Sequence, residues 1–206
     1  MNTLLHPCKV GAVIFPGFEL LDIYGPLEMF GLLGERVSIT MIAETAGPVS
    51  SNQGPKGIAD LSMTDASAFD VLLVPGGWGT RAAVQNLPFL ELLRTHADQA
   101  RFVASICTGS ALLAKAGVLD GKNATSNKLA FDWVTTQGPN VTWIREARWV
   151  EDDRFFTSSG VSAGMDMSLG LIQRIFDRDT SLQVARWTEY TWHEDKSVDP
   201  FAFPIK

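Results

Sequence analysis

One pentapeptide narrows the folds open to this chain more than any other stretch: Ser105-Ile106-Cys107-Thr108-Gly109. An apolar run, Phe102 to Ile106, stops at a single cysteine, and a run of small residues from Thr108 to Ala116 begins at once. Strand, nucleophile-type residue and helix in immediate succession form the sharp corner of a nucleophile elbow, with Cys where many hydrolases place Ser. A corner of that kind needs a buried strand with helices packed beside it.

The rest of the chain supplies such a frame. Lys9 to Phe15, closed by Pro16-Gly17, and Val71 to Val74, closed by Pro75-Gly76-Gly77, read as buried strands. Val37 to Ala43 alternates apolar residues and reads as another. Val141 to Ile144, Ala147 to Val150 and Phe155 to Ser158 add three more, the last two joined by a polar turn at Asp152-Asp153. Helices are expected at Pro26 to Leu33, with proline at the first helical position, and at Pro88 to Ala97, Thr108 to Ala116 and Leu129 to Thr136. Two more are expected at Ala163 to Phe176 and Ser181 to Trp192. Gly47 to Ser62, rich in Gly, Pro and Ser, suits a small hairpin excursion. Residues 1 to 8 read as a flexible, frayed tail and Pro200 to Lys206 as an irregular end. Alternating strands and helices specify an α/β fold, a doubly wound and mainly parallel sheet, with ligands taken beyond the carboxyl ends of the strands.

Composition excludes several classes. The 206 residues fit one domain spanning 1–206. With 17 Lys and Arg against 23 Asp and Glu, the net charge is −6, and the pI near 5.0 argues against a general nucleic-acid binder. No window approaches the ~18 apolar residues of a membrane span, and the start lacks a signal-peptide pattern, so a soluble cytoplasmic protein is expected. The two cysteines, Cys8 and Cys107, lie in unlike contexts and are expected to be free thiols in a reducing compartment.

Three features carry possible chemistry. Cys107 stands at a helix start, whose free N–H groups and partial positive charge favour a thiolate; the plainer alternative is a buried structural cysteine. Pro75-Gly76-Gly77-Trp78-Gly79 follows a strand, and the amides of Gly76 and Gly77 could line an oxyanion hole, or the stretch could be a simple turn. Its spacing is not a dinucleotide fingerprint. Asp22, framed by Leu21 and Ile23, is a carboxylate that burial would raise into the range of a proton donor, or a turn and capping residue. Glu28 reads as a surface carboxylate. A Cys-His pair is the competing arrangement. His6 lies in the tail, His96 on a polar, solvated helix face, and His193, beside Glu194, near the end of the chain. No cluster has metal-ligand spacing, so neither a metal nor a cofactor is expected.

Together these residues resemble the ThiJ/PfpI superfamily, whose fold is like that of class I glutamine amidotransferases. The resemblance runs from about Lys9 to Glu194. It rests on Leu21-Asp22 with Gly25-Pro26, Pro75-Gly76-Gly77, Ser105-Ile106-Cys107-Thr108-Gly109-Ser110, Gly121-Lys122 with Ala124-Thr125, and Gly160-Val161-Ser162-Ala163-Gly164-Met165-Asp166. It implies a flavodoxin-like three-layer sandwich, usually a homodimer, with a reactive cysteine at the elbow. Within the superfamily the chain is most similar in look to the isocyanide hydratase branch, which implies conversion of an isocyanide to an N-substituted formamide through a covalent thioimidate. On that reading Cys107 is the nucleophile, Asp22 the proton donor, and Thr108 with Gly77 the donors to developing negative charge. Trp78 would shape the pocket. Protease-like members carry histidine directly after the cysteine, where this chain has Thr108. Several hydratase relatives carry histidine where this chain has Asn127, which throws the proton transfer onto Asp22. Glyoxalase-like or amidase and peptidase chemistry, and a non-catalytic redox or ligand sensor, are the alternatives on the same fold. Some relatives are fused to a DNA-binding helical domain, for which this chain is expected to be too short.

Overall fold

In a computed structural model that describes residues 7–203, the chain mixes strands and helices along its length. The elements in order are β1 (Cys8–Val13), α1 (Leu20–Gly31), β2 (Val37–Ala43), β3 (Gly47–Ser50), β4 (Lys56–Ala59), β5 (Leu61–Ser62) and β6 (Val71–Val74). They continue with α2 (Thr80–Ala83), α3 (Leu87–Gln99), β7 (Phe102–Ser105), α4 (Gly109–Lys115), β8 (Asn123–Ala124), α5 (Phe131–Thr135) and β9 (Thr142–Trp143). The last are β10 (Trp149–Asp152), β11 (Phe155–Ser158), α6 (Ala163–Ile175) and α7 (Arg178–Trp187).

Seven strands make the main sheet in the order β10-β11-β7-β6-β1-β2-β5. All neighbours are parallel except β10 and β11, which pair antiparallel across the turn at Asp153. Every residue of β6, β7 and β11 is buried, as expected for central strands covered on both faces by helices. The helices fall into two groups: α1 packs on α6 and α6 on α7, while α2, α3 and α5 pack against α4. Gly47 to Ser62 makes the expected excursion, an antiparallel β3–β4 hairpin followed by β5 on the sheet edge. Because β11, β7, β6 and β1 are adjacent and parallel, their carboxyl ends open on one edge of the sheet, and the site lies there.

Several expectations need correction. The first helix starts at Leu20, not Pro26, so Pro26 lies inside it and Asp22 in its first turn. Pro26 removes the N–H that would bond the Asp22 carbonyl, and burial of Ile23, Met29 and Phe30 outweighs that loss. α7 starts at Arg178 because the Asp177 side chain accepts the Thr180 N–H at 2.7 Å, and it stops at Trp187 rather than Trp192. Cys8 is not frayed: it opens β1 and is fully buried. Residues 1–6 of the expected N-terminal tail, His6 included, and 204–206 of the expected irregular end lie outside the described residues.

The segment after α7 is tied down by buried charge. The Asp166 carboxylate, on α6, accepts from Arg148 Nε and Nη2 (2.7 and 2.6 Å), the Tyr190 hydroxyl (3.0 Å) and the His193 N–H (2.9 Å). The Trp192 indole donates to the Asp166 carbonyl at 3.1 Å. Removing one partner from a buried pair strands the other charge. Arg148→Met should therefore cost about 3–5 kcal/mol of unfolding free energy in urea titrations, whereas a change under ~1 kcal/mol would mean that the pair is not holding this segment.

Candidate active site

The corner after β7 is built on an unusual backbone. Cys107 has φ 57, the left-handed region that residues with a Cβ seldom occupy. Its backbone is held by hydrogen bonds at both polar groups. The Cys107 N–H donates to the Ser159 carbonyl at 3.2 Å, and its carbonyl accepts from Ser126 Oγ (2.8 Å) and Ser110 Oγ (3.2 Å). Gly109 lets α4 start tight against β6, since a Cβ there would press into the Val74 carbonyl. The thiol is only 6% exposed.

Three polar groups stand around the sulfur: the backbone N–H groups of Thr108 and Val161 and the side chain of Asn127. Each lowers the thiol pKa, but burial and the nearby Asp22 carboxylate outweigh them and push Cys107 up to about 12. The helix start by itself therefore does not produce a resting thiolate; α4 is short, and desolvation of the sulfur is the larger effect. Val161 is β-branched and holds φ 43, a conformation that only tertiary bonding sustains.

Asp22 is fully buried on α1. Gly76 N–H donates to its Oδ2 at 2.8 Å, and the Cys107 thiol lies beside the carboxyl. The other oxygen, Oδ1, has no hydrogen-bond partner among the described residues. Burial raises the acid to about 7, against the lowering by Gly76 and Cys107. Acid and thiol thus face each other in a buried site and compete for one proton.

The glycine loop does different work from that expected. Gly76 comes so close to the elbow that a Cβ would lie 2.5 Å from both Thr108 N and Thr108 Oγ1. Its amide is committed to Asp22. The Gly77 N–H donates to Thr108 Oγ1 at 3.1 Å, and Thr80 Oγ1 donates to the Gly77 carbonyl at 2.7 Å. The Gly76 and Gly77 amides are thus engaged with Asp22 and Thr108 and position these two residues. Trp78 is 69% exposed and lies under the Arg81 guanidinium, which also stacks on Trp133 at 4.2 Å. Asn127 anchors its Oδ1 on the Ala130 N–H at 3.0 Å, leaving its amide nitrogen for the sulfur.

The structure thus gathers Cys107, Asp22, Thr108, Gly76, Gly77 and Asn127 in one place and leaves Trp78 at its rim. Val161, Ser126 and Ser159 were not singled out as site residues from sequence, although Val161 stands in one of the motifs. The histidines do not join. His96 is buried rather than solvated, with Nε2 on the Met63 carbonyl at 2.7 Å. His193 is anchored through its N–H on Asp166. Neither hydrogen-bonds Cys107, so a Cys-His-Glu triad is not formed. Both cysteines are free. Among the described residues no group of His, Cys, Asp and Glu is placed to hold a metal ion, and no helix is long and apolar enough to cross a membrane.

Comparison with known proteins matches residues 8–174 to the model of the DJ-1/PfpI family. The chain is similar to isonitrile hydratase of Pseudomonas putida, with 34% identity over 182 residues, covering 88% of this chain and 78% of that protein. It is also similar to the HTH-type transcriptional regulator GbdR of Pseudomonas aeruginosa, at 28% identity over 90% of this chain but only 51% of the regulator. Among solved structures, a THiJ/PfpI family protein from Pseudomonas syringae superposes with a TM-score of 0.83 at 30% identity, covering 89% of this chain and 75% of that one. Drosophila melanogaster DJ-1beta superposes with a TM-score of 0.78 at 22% identity, covering 90% and 100%.

The buried acid has a consequence for stability. An Asp whose folded pKa is about 7 against an ordinary 3.8 binds its proton more tightly in the folded chain. Its contribution is intact below pH 3.8 and is lost as pH rises to about 7, on the order of 4 kcal/mol in all. Asp22→Asn should remove that loss, so the variant is more stable than wild type at pH 8 and the difference shrinks towards pH 4. Parallel pH profiles of the two proteins in urea titrations would contradict the burial argument.

Proposed function

The chain belongs to the DJ-1/PfpI family, and on that premise we propose that it is a cysteine-dependent hydratase that converts an isocyanide to an N-substituted formamide. One observation carries the reading: a fully buried carboxylic acid stands beside the thiol at the elbow, and no histidine among the described residues hydrogen-bonds that thiol. The similarity to isonitrile hydratase supports the same chemistry. The working unit is taken as a homodimer in a reducing cytoplasm, which keeps both cysteines as thiols.

The chemistry needs a nucleophile for the terminal carbon and one mobile proton. Cys107 gives its proton to Asp22 as its sulfur bonds the isocyanide carbon. The donors from Thr108, Val161 and Asn127 hold the negative charge during that transfer. Asp22 then protonates the same carbon, which leaves a thioimidate on Cys107 and a carboxylate at Asp22. Water adds across the C=N bond, its hydroxyl to carbon and its hydrogen to nitrogen. The carboxylate takes the hydroxyl proton as the C–S bond breaks, which releases the formamide and restores the single proton shared by acid and sulfur. Burial, which raises both groups, is what lets the proton pass between them at neutral pH.

Glyoxalase-like and amidase-like chemistry on this fold calls for a basic partner; the His96 ring is engaged with the Met63 carbonyl, and His193, held through its backbone N–H on Asp166, makes no hydrogen bond to Cys107. Turnover of an aryl and an alkyl isocyanide, with methylglyoxal alongside, tests the assignment. Wild type should form the formamide, Cys107→Ala none, and Asp22→Asn at least about a hundredfold less. Lactate as the only product, or formamide at wild-type rate from either variant, would overturn it.

A further inference from the structure

A cavity of about 560 Å³ adjoins the site on the side of Asn127 and the turn from Ser159 to Ser162. Its inner wall includes Asn127 and Val161, the same residues whose amides hold the Cys107 sulfur. Its outer wall is Leu129 with Phe201, Ala202 and Phe203 of the segment after α7. That segment is fixed in place. The Asp199 N–H donates to the Glu146 carbonyl at 2.8 Å, the Phe201 N–H to Asp199 Oδ1 at 3.0 Å, and Ala202 is buried. The expected irregular end is therefore, over 200–203, a built wall.

The wall leaves large apolar side chains in water. Phe201 is 58% exposed, Phe203 64%, and Leu129 is fully exposed, all around this one opening. Two cations border it, and both are already neutralised. Lys128 Nζ donates to Thr125 Oγ1 and the Ala147 carbonyl (both 2.7 Å) and faces Asp199 at 3.7 Å. Arg145 pairs with Asp132 and covers the Phe131 ring at 4.3 Å. The cavity thus offers an apolar surface with no charge left to satisfy, of the size of a small-molecule pocket.

We propose that this cavity receives the organic substituent of the substrate, an uncharged ring or branched alkyl group, and that Phe201, Phe203 and Leu129 set the preference for substituent size. The inference rests on Cys107 as the reacting centre and deepens the hydratase reading. An isocyanide is a straight rod, so a terminal carbon at the sulfur extends its substituent away from Asn127 and Val161 and into the space beyond. Burying the substituent there also covers aromatic surface that is otherwise wet.

The test compares cyclohexyl with methyl isocyanide in wild type and in a protein carrying both Phe201→Ala and Phe203→Ala, positions exposed enough to tolerate the change. The ratio of kcat/KM for cyclohexyl over methyl should fall about tenfold, mostly through KM. An unchanged ratio overturns the proposal, as does a rise. A second arm does not depend on turnover: calorimetry of N-cyclohexylformamide with Cys107→Ala protein. Binding should weaken about tenfold when Phe201→Ala and Phe203→Ala are added; no binding, or equal binding, counts against the cavity. Formamide binding with that dependence, in a protein whose wild type hydrates no isocyanide, would sink the hydratase reading and uphold the cavity.

Discussion

A left-handed backbone at Cys107 can persist only where its surroundings outweigh its cost of ~1–2 kcal/mol, and much of this structure is arranged to do so. The residue after β11 supplies the Ser159 carbonyl, the stretch after β8 supplies Ser126, and α4 supplies Ser110. The glycine loop after β6 comes close enough to meet Thr108 through the Gly77 amide. Three parallel strands must therefore end at one level for the corner to exist. Val161, also strained, has its amide beside the same sulfur, so two costly conformations meet at one atom. Such clustering is the pattern expected where strain is stored for function.

The site works by withholding water rather than by supplying a strong base. A histidine would keep the thiol ionised at neutral pH; burial next to a carboxyl does the opposite to both partners. The thiol rises to about 12 and the acid to about 7, so near neutral pH the thiol keeps its proton while the acid stands close to its titration point. Asp22 is kept in this position by one amide, that of Gly76, and by the closeness of the thiol. Such an arrangement suits a substrate that must gain a proton on carbon and later return one.

The parts of the fold set by periodicity were legible. The unbroken apolar runs of β6 and β7, and the helical spacing in α6, are local signals that tertiary context reinforces. α1 was not legible at its start, because a proline reads as a first helical residue and only the packing of Ile23 and Phe30 shows that it lies inside. The elbow, with Asp22 and Thr108 around it, was visible as a meeting of motifs. The duty of the glycine loop was not, since which amide bonds which oxygen depends on the path of α1 over the loop. Asn127 was noticed as a departure from a histidine, but its bond to the sulfur is a tertiary fact. Val161 is hidden more deeply: nothing in a valine announces a left-handed backbone. His96 misled because a polar neighbourhood in sequence says little of the Met63 carbonyl across the packing. The wall at Phe201 and Phe203 was hidden for the same reason, as the anchor at Asp199 lies in long-range bonds.

The central claim is that the Cys107 sulfur forms a bond to the substrate carbon. It is tested most directly by mixing the protein with an aryl isocyanide, quenching in acid within one turnover, and reading intact and peptide masses. The account predicts a transient gain equal to the whole isocyanide on the peptide that contains Cys107, and none on that containing Cys8. Formamide produced without such an adduct, or an adduct on any other residue, would contradict it.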